Sequence, residues 1–203
     1  MDLITAINTL FAKKYKDPKK YEEFVLSKDR KNLCKAVAQE LAFVLPEGSQ
    51  ILDLAAGTGL TSNALLDRGF IPLATDHNQS MLNEIKNPAI KTAVCDYNNP
   101  FEFSDNSFDG VTILWGNRYI KDIPEFLSQV YRVLKPDGVF VWPYFDIETP
   151  VWMYLSQPKP LPTAQNLIKL AKEVGFRITF KPQRYPLSVV KPGYIICTKP
   201  ISR

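Results

Sequence analysis

Three acids and one small-residue turn hold most of the chemistry this sequence offers. Asp53 ends the apolar run Ile51-Leu52-Asp53-Leu54 and opens the turn Ala55-Ala56-Gly57-Thr58-Gly59. Such a turn lets the backbone come close to a ligand and offers amide donors, with a helix N-terminus behind them, to an anionic group. Asp76 follows the apolar run Ile71–Thr75, and Asp96 follows Ala89–Cys95. A carboxylate can accept two hydroxyl hydrogen bonds, so Asp76 suits a ribose diol, while Asp96 suits an amino donor such as that of adenine. Each acid alone reads equally well as a solvated loop carboxylate. The three in this order point to a nucleoside-like ligand.

Other chemistries are poorly supplied. His77 is the only histidine, and the cysteines Cys34, Cys95 and Cys197 are widely spaced and form no paired motif. A zinc site is therefore not expected, nor any other metal site. A Ser-His-Asp or Cys-His apparatus would have to use His77, and nothing beside it completes one. No catalytic base is assigned. The cysteines read as free thiols of a reducing compartment, so the expected location is cytoplasmic. No apolar run approaches the roughly 20 residues of a membrane span. Leu3, Ile4, Ile7, Leu10 and Phe11 have helical spacing, but Lys13, Lys14 and Lys16 follow them, the wrong order for a secretory leader.

These residues need a scaffold that gathers strand ends, and the rest of the sequence describes one. Residues 1–48 read as helical, with apolar spacings of three and four over 29–45 and a stop at Pro46-Glu47-Gly48. Strands and helices then alternate: strand Ile51–Leu54, helix Thr58–Arg68, strand Ile71–Thr75, helix Gln79–Ile85, strand Ala89–Cys95, strand Phe108–Trp115 and helix Ile123–Leu134. A turn at Pro136-Asp137-Gly138 leads to strand Val139–Phe145. Residues 146–163 carry four prolines and read as a loop, before helix Thr163–Val174 and strands Arg177–Lys181 and Gly193–Lys199. The alternation predicts an open, mostly parallel α/β sheet, where ligands bind beyond the carboxyl ends of the strands. All three acids lie at or near such ends.

Four ordered motifs resemble a known family. They are Asp53-Leu54-Ala55-Ala56-Gly57-Thr58-Gly59; Asp76-His77-Asn78-Gln79-Ser80-Met81-Leu82; Asp96-Tyr97-Asn98-Asn99-Pro100-Phe101 with Ser107-Phe108-Asp109; and Arg132-Val133-Leu134-Lys135-Pro136-Asp137-Gly138. Together they look like a class I S-adenosylmethionine-dependent methyltransferase of the small type 11 group, with Ala55 in place of the family's first glycine. The resemblance implies a Rossmann-like, seven-stranded sheet, mostly parallel with the last strand antiparallel, and helices on both faces. It implies one domain over 1–203: a helical N-terminal cap (1–48), a cofactor-binding core (49–145), and a loop with a closing helix and two strands (146–203).

The implied cofactor is S-adenosyl-L-methionine. Asp53 and the turn Ala55, Gly57, Thr58 and Gly59 would face its amino-acid part. Asp76 would take the ribose, His77 and Met81 would flank the adenine, and Asp96, with Tyr97 beside it, would accept from the adenine amino group. Trp115 and Gly116, just after the fourth strand, would sit near the reactive end. Asn117, Arg118, Tyr119 and Tyr144 are candidates for substrate contact. The implied acceptor is a small molecule, covered by Phe11, Tyr15, Tyr21, Trp152 and Tyr154.

Competing readings are narrower. Gly57-x-Gly59-x-x-Ser62 imitates a dinucleotide-binding fingerprint, but Asp53, Asp96 and the Lys135–Gly138 turn do not fit one. Asn98-Asn99-Pro100-Phe101 imitates a nucleic-acid amino-methyltransferase motif, but it follows the third strand instead of the fourth. A cofactor-binding partner subunit without catalysis, or a methyltransferase acting on nucleic acid or protein, are the alternatives. Residues 151–203 carry nine Lys/Arg against Glu173 alone, which suits either an anionic partner such as nucleic acid or a solvated basic face. The oligomeric state is unassigned.

Overall fold

The computed structural model describes residues 28–145, 162–182 and 192–201. Its elements in chain order are α1 (Lys28–Ala42), β1 (Gln50–Leu54), α2 (Leu60–Leu66), β2 (Ile71–Asp76), α3 (Gln79–Leu82), β3 (Lys91–Val94) and β4 (Phe108–Ile113). A single 3-10 turn (Asn117–Tyr119) leads to α4 (Ile123–Val133), β5 (Leu134–Phe145), α5 (Ala164–Val174), β6 (Arg177–Pro182) and β7 (Pro192–Thr198). The seven strands form one sheet in the order β3-β2-β1-β4-β5-β7-β6. Only β7 runs against its neighbours, pairing antiparallel with both β5 and β6. The last strand is thus the reversed one, as the resemblance implies.

The central strands read as nearly continuous apolar runs because both faces of the sheet are covered. On one face Phe126, Leu127 and Val130 of α4 and Leu167 and Ala171 of α5 pack with Phe140 and Trp142 of β5. On the other, Leu33, Val37 and Leu41 of α1 and Leu65 of α2 pack with Val139, Val141 and Tyr194. The described part of the segment expected to cap the site, α1, therefore lies along a sheet face. Its direction is fixed at both ends. Cys34 Sγ accepts from Thr61 Oγ1 of α2 at 3.4 Å, near the carboxyl edge. Leu41 and Leu45 fill the space beside Gly110 near the start of β4.

Several boundaries differ from the sequence expectation, each for a local reason. α2 begins at Leu60 instead of Thr58 because Gly59 is left-handed (φ 84°). α1 ends at Ala42 in a turn over Phe43–Leu45. β4 stops at Ile113, and the chain turns at Trp115, whose φ is 68°. β5 starts at Leu134 and absorbs the expected turn at 136–138. There Asp137 N–H donates to Lys199 O at 2.8 Å and Lys199 N–H donates to Gly138 O at 2.9 Å, so the turn is a bulge in a paired strand.

The lower edge, where the parallel strands begin, holds two of the recognisable motifs. Arg132 donates to the carbonyls of Phe101 (2.8 Å) and Phe103 (2.7 Å) and to Asp105 (2.7 Å). Lys135 Nζ lies 2.8 Å from Asp109 Oδ1, and Asp109 Oδ2 accepts from Gln50 N–H at 2.9 Å. These motifs tie β1, β4 and β5 together at the end opposite the acids. Three of the nine basic residues of the C-terminal part have partners within the fold. Lys199 donates to Asn106 Oδ1 and Leu134 O, each at 2.7 Å, Arg177 pairs with Asp137 at 3.3 Å, and Lys169 pairs with Glu173 at 3.8 Å. Among the described residues no helix is long and apolar enough to cross a membrane.

Candidate functional site

The turn after β1 is built from alternating left-handed residues: Ala55 (φ 54°), Gly57 (φ 57°) and Gly59 (φ 84°). A side chain in this conformation costs roughly 1–2 kcal/mol, a burden that Ala55 carries and a glycine there would not. At Gly59 a Cβ would also lie 2.8 Å from Ile85. The turn was expected to offer its amides to a ligand. In the structure three are committed within the protein: Ala56 N–H donates to Thr75 O (2.8 Å), Gly57 N–H to Asp76 Oδ2 (3.0 Å) and Gly59 N–H to Ala56 O (2.9 Å). What the turn supplies is a backbone surface with almost no side chains.

Asp53 lies beneath that turn and is 1% exposed. Ser62 Oγ of α2 donates to its Oδ2 at 2.5 Å, and its Oδ1 has no partner among the described residues. Burial, reinforced by the nearby charge of Asp76, pushes its carboxyl up to about 7, although the Ser62 hydrogen bond pulls the other way. Asp76 closes β2 and is buried; its Oδ1 accepts from Asn78 N–H at 2.9 Å and lies 3.2 Å from His77 Nδ1. With one backbone donor on each oxygen, the carboxylate keeps further acceptor sites. Asp96 is exposed two residues beyond β3, where Cys95 N–H still pairs with Asp76 O at 3.0 Å. Its oxygens cap its own turn, through Asn98 N–H (3.0 Å) and Asn99 Nδ2 (3.2 Å).

The structure therefore gathers Asp53, the turn, Asp76 and Asp96 on adjacent strand ends. The other expected residues are placed differently. His77 is solvent-exposed, its side chain at 72%, whereas Met81 is buried in α3. Tyr97 is buried in the core edge-on to Phe126, and its hydroxyl donates to Gly116 O at 2.9 Å. Burial and the charges of Asp76 and Asp96 raise that hydroxyl above its ordinary range, so it donates as a neutral O–H. Trp115 is half-buried against the α1 side of the core. Thr58 is half-buried, Asn117 donates Nδ2 to Pro143 O at 3.1 Å, and Tyr119 is exposed. The side chains of Arg118 and Tyr144 lie outside the described part, as do Phe11, Tyr15, Tyr21, Trp152 and Tyr154. Among the described residues no group of histidines, cysteines and acids could hold a metal, and all three cysteines are free.

Sequence reasoning missed Ser62 as the partner of Asp53. The signal was a small hydroxyl residue in the helix after the turn, which was read only as part of a competing fingerprint. It also missed that Gly116 faces Ala55; no pattern in the chain links two positions so far apart.

Comparison with known proteins fits this geometry. The family model for a methyltransferase domain matches residues 52–142, the stretch from β1 to β5 that carries all three acids. That match covers 91 of the 203 residues. A demethylmenaquinone methyltransferase of Corynebacterium glutamicum (strain R) is 33% identical over 141 residues, which are 70% of this chain and 58% of that protein. A ubiquinone/menaquinone biosynthesis C-methyltransferase of Desulfotalea psychrophila is 41% identical over 101 residues, covering 46% of this chain and 40% of that protein. The matched stretches thus span about half the length of these methyltransferase relatives. In fold, the chain resembles phosphoethanolamine N-methyltransferase 2 of Haemonchus contortus, solved with S-adenosyl-L-methionine. The TM-score is 0.68 at 20% identity, covering 83% of this chain and 52% of that one.

Proposed function

We propose that this chain is an S-adenosylmethionine-dependent methyltransferase acting on a small organic acceptor. The observation that carries the reading is the acid-lined carboxyl edge around a nearly side-chain-free turn, with Asp53 Oδ1 buried and unpartnered. A buried carboxylate oxygen without a donor is costly, and a cationic ligand group removes that cost. S-adenosylmethionine fits, because it brings a sulfonium, an ammonium, a ribose diol and an adenine amino group. When bound it supplies an electrophilic methyl and leaves as S-adenosylhomocysteine.

In this reading the turn Ala55–Gly59 and Asp53 hold the amino-acid part and Asp76 accepts from the ribose hydroxyls. Asp96 accepts from the adenine amino group, with His77 at the open side of that pocket. Met81, which is buried, shapes the pocket from behind, whereas Tyr97 turns its ring to Phe126 and its hydroxyl to Gly116 O, away from a contact with the adenine. Trp115 and Asn117 border the side where an acceptor enters. Holding two reactants in attack geometry supplies much of a methyl transfer's rate, so a dedicated base is not required. The names of the relatives point to a quinone ring carbon as the acceptor, and a reduced naphthoquinone is the class to try first. We place the chain in the cytoplasm, in keeping with its three free thiols, and read 49–145 as the cofactor-binding core, with 146–203 completing the sheet.

Calorimetric titration tests the cofactor assignment. Asp76→Ala is expected to weaken S-adenosylhomocysteine binding by at least about tenfold, since it removes paired acceptors for the ribose. Unchanged affinity would overturn the assignment. Binding without methyl transfer to any small acceptor would leave a partner subunit as the function.

A further inference from the structure

Gly116 is the joint of the loop that leaves β4. Its carbonyl oxygen accepts two hydrogen bonds, from the Tyr97 hydroxyl at 2.9 Å and from Tyr119 N–H at 3.0 Å. Its α-carbon leaves no room for a side chain, because a Cβ there would lie 2.5 Å from the Cβ of Ala55. Asn117, the next residue, is tied to Pro143 O of β5 at 3.1 Å. The loop is thus tied to Tyr97, three residues beyond β3, and to the end of β5, and packs closely on Ala55 of the turn.

Tyr97 is the tie with the most leverage. Its ring is 8% exposed and packs edge-on to Phe126 with 6.2 Å between centroids, so the hydroxyl is delivered from a fixed position. The loop it holds contains Trp115 at φ 68°, a conformation that a bulky residue adopts only under constraint. The cost of that conformation and the net gain of one buried hydrogen bond are of the same order. Loss of the hydroxyl therefore lets the loop relax while the packed ring stays.

We propose that Tyr97 is a positioning residue, whose hydroxyl acts through the Gly116 carbonyl to hold the loop Trp115–Tyr119 against the cofactor turn and so sets where the acceptor sits. The proposal rests on the methyltransferase reading above. It assigns Tyr97 to the acceptor side, although its place in the sequence beside Asp96 had put it with the adenine.

Tyr97→Phe keeps the ring and deletes the bond. Hydrogen exchange of the full chain, read by mass spectrometry, is expected to quicken about fivefold to tenfold in peptides covering residues 115–121, with β1 and β4 peptides unchanged. The dissociation constant for S-adenosylhomocysteine should stay within about twofold. With a short-chain 2-prenyl-1,4-naphthoquinol as acceptor, kcat/KM for the acceptor should fall about tenfold while KM for S-adenosylmethionine is unchanged. Unchanged exchange at 115–121, faster exchange spread evenly over the sheet, or wild-type acceptor kinetics would each overturn the proposal. A wild-type chain that binds no S-adenosylhomocysteine refutes the functional reading instead, and one that binds it but never methylates the naphthoquinol refutes the quinone acceptor. The exchange arm still decides whether Tyr97 holds the loop.

Discussion

At the residue scale, the burial of Asp53 makes its proton a reporter of both folding and binding. Its carboxyl stands at about 7 against an ordinary 3.8, from burial first and the Asp76 charge next among the raising causes. Between those values the folded chain keeps a proton that the unfolded chain has released. This group's contribution to stability therefore falls as pH rises through that window and levels off above it. Comparing urea midpoints of the wild type with Asp53→Asn from pH 5 to pH 8 checks the sign: the wild type loses ground as pH rises. Ligand binding runs the other way. A cationic ligand beside Asp53 favours the ionised form, so S-adenosylmethionine affinity should strengthen from pH 6 to pH 8, and calorimetry on Asp53→Asn should show a flatter profile. A second residue-scale test concerns the 2.5 Å approach between Ala55 and a Cβ at position 116. Gly116→Ala should destabilise by about 1–3 kcal/mol through overpacking. Ala55→Gly removes both the opposing methyl and a side chain at φ 54°, so the double variant should regain most of the loss. Additive midpoints in chemical denaturation would show that the two positions do not meet.

At the element scale, the motifs divide into two groups with different work. The Asp53, Asp76 and Asp96 motifs sit at the carboxyl edge, while the Arg132–Gly138 and Ser107–Asp109 motifs brace the opposite edge. Arg132 supports two backbone carbonyls and Asp105 from a half-buried position. Arg132→Ala leaves those carbonyls short of a donor and should cost about 2 kcal/mol, lowering Tm by roughly 4–8 °C in a calorimetric scan. The order and type of the described elements were legible because apolar periodicity and Gly/Pro punctuation report them directly. The acids were legible because strand ends are predictable in such a sheet. Boundaries at Gly59, Trp115 and Lys135–Gly138 were not, since each depends on a left-handed residue or a cross-strand partner that local sequence does not announce. The Lys135–Gly138 turn is instructive in this respect. It is one of the motifs that carry the resemblance, yet it lies at the far end of the sheet from the three acids.

At the scale of the whole molecule, this separation makes stability and binding independent quantities. The parallel strands β1 and β4 run from the Gln50–Asp109–Lys135 brace at one edge to Asp53 and Trp115 at the other, and α1 spans the same distance between Gly110 and Thr61. Perturbations at sites this far apart, with no shared partner, are expected to add. A ligand present at a hundred times its dissociation constant stabilises the folded state by about 2.7 kcal/mol. Saturating S-adenosylhomocysteine should therefore raise the Tm of Arg132→Ala by the same increment as the wild type, from a lower starting point. Asp76→Ala, at tenfold weaker affinity and the same ligand concentration, should lose about half of the increment. If Arg132→Ala loses the increment too, the lower edge takes part in holding the cofactor, and the division of labour between the two ends of the sheet is wrong.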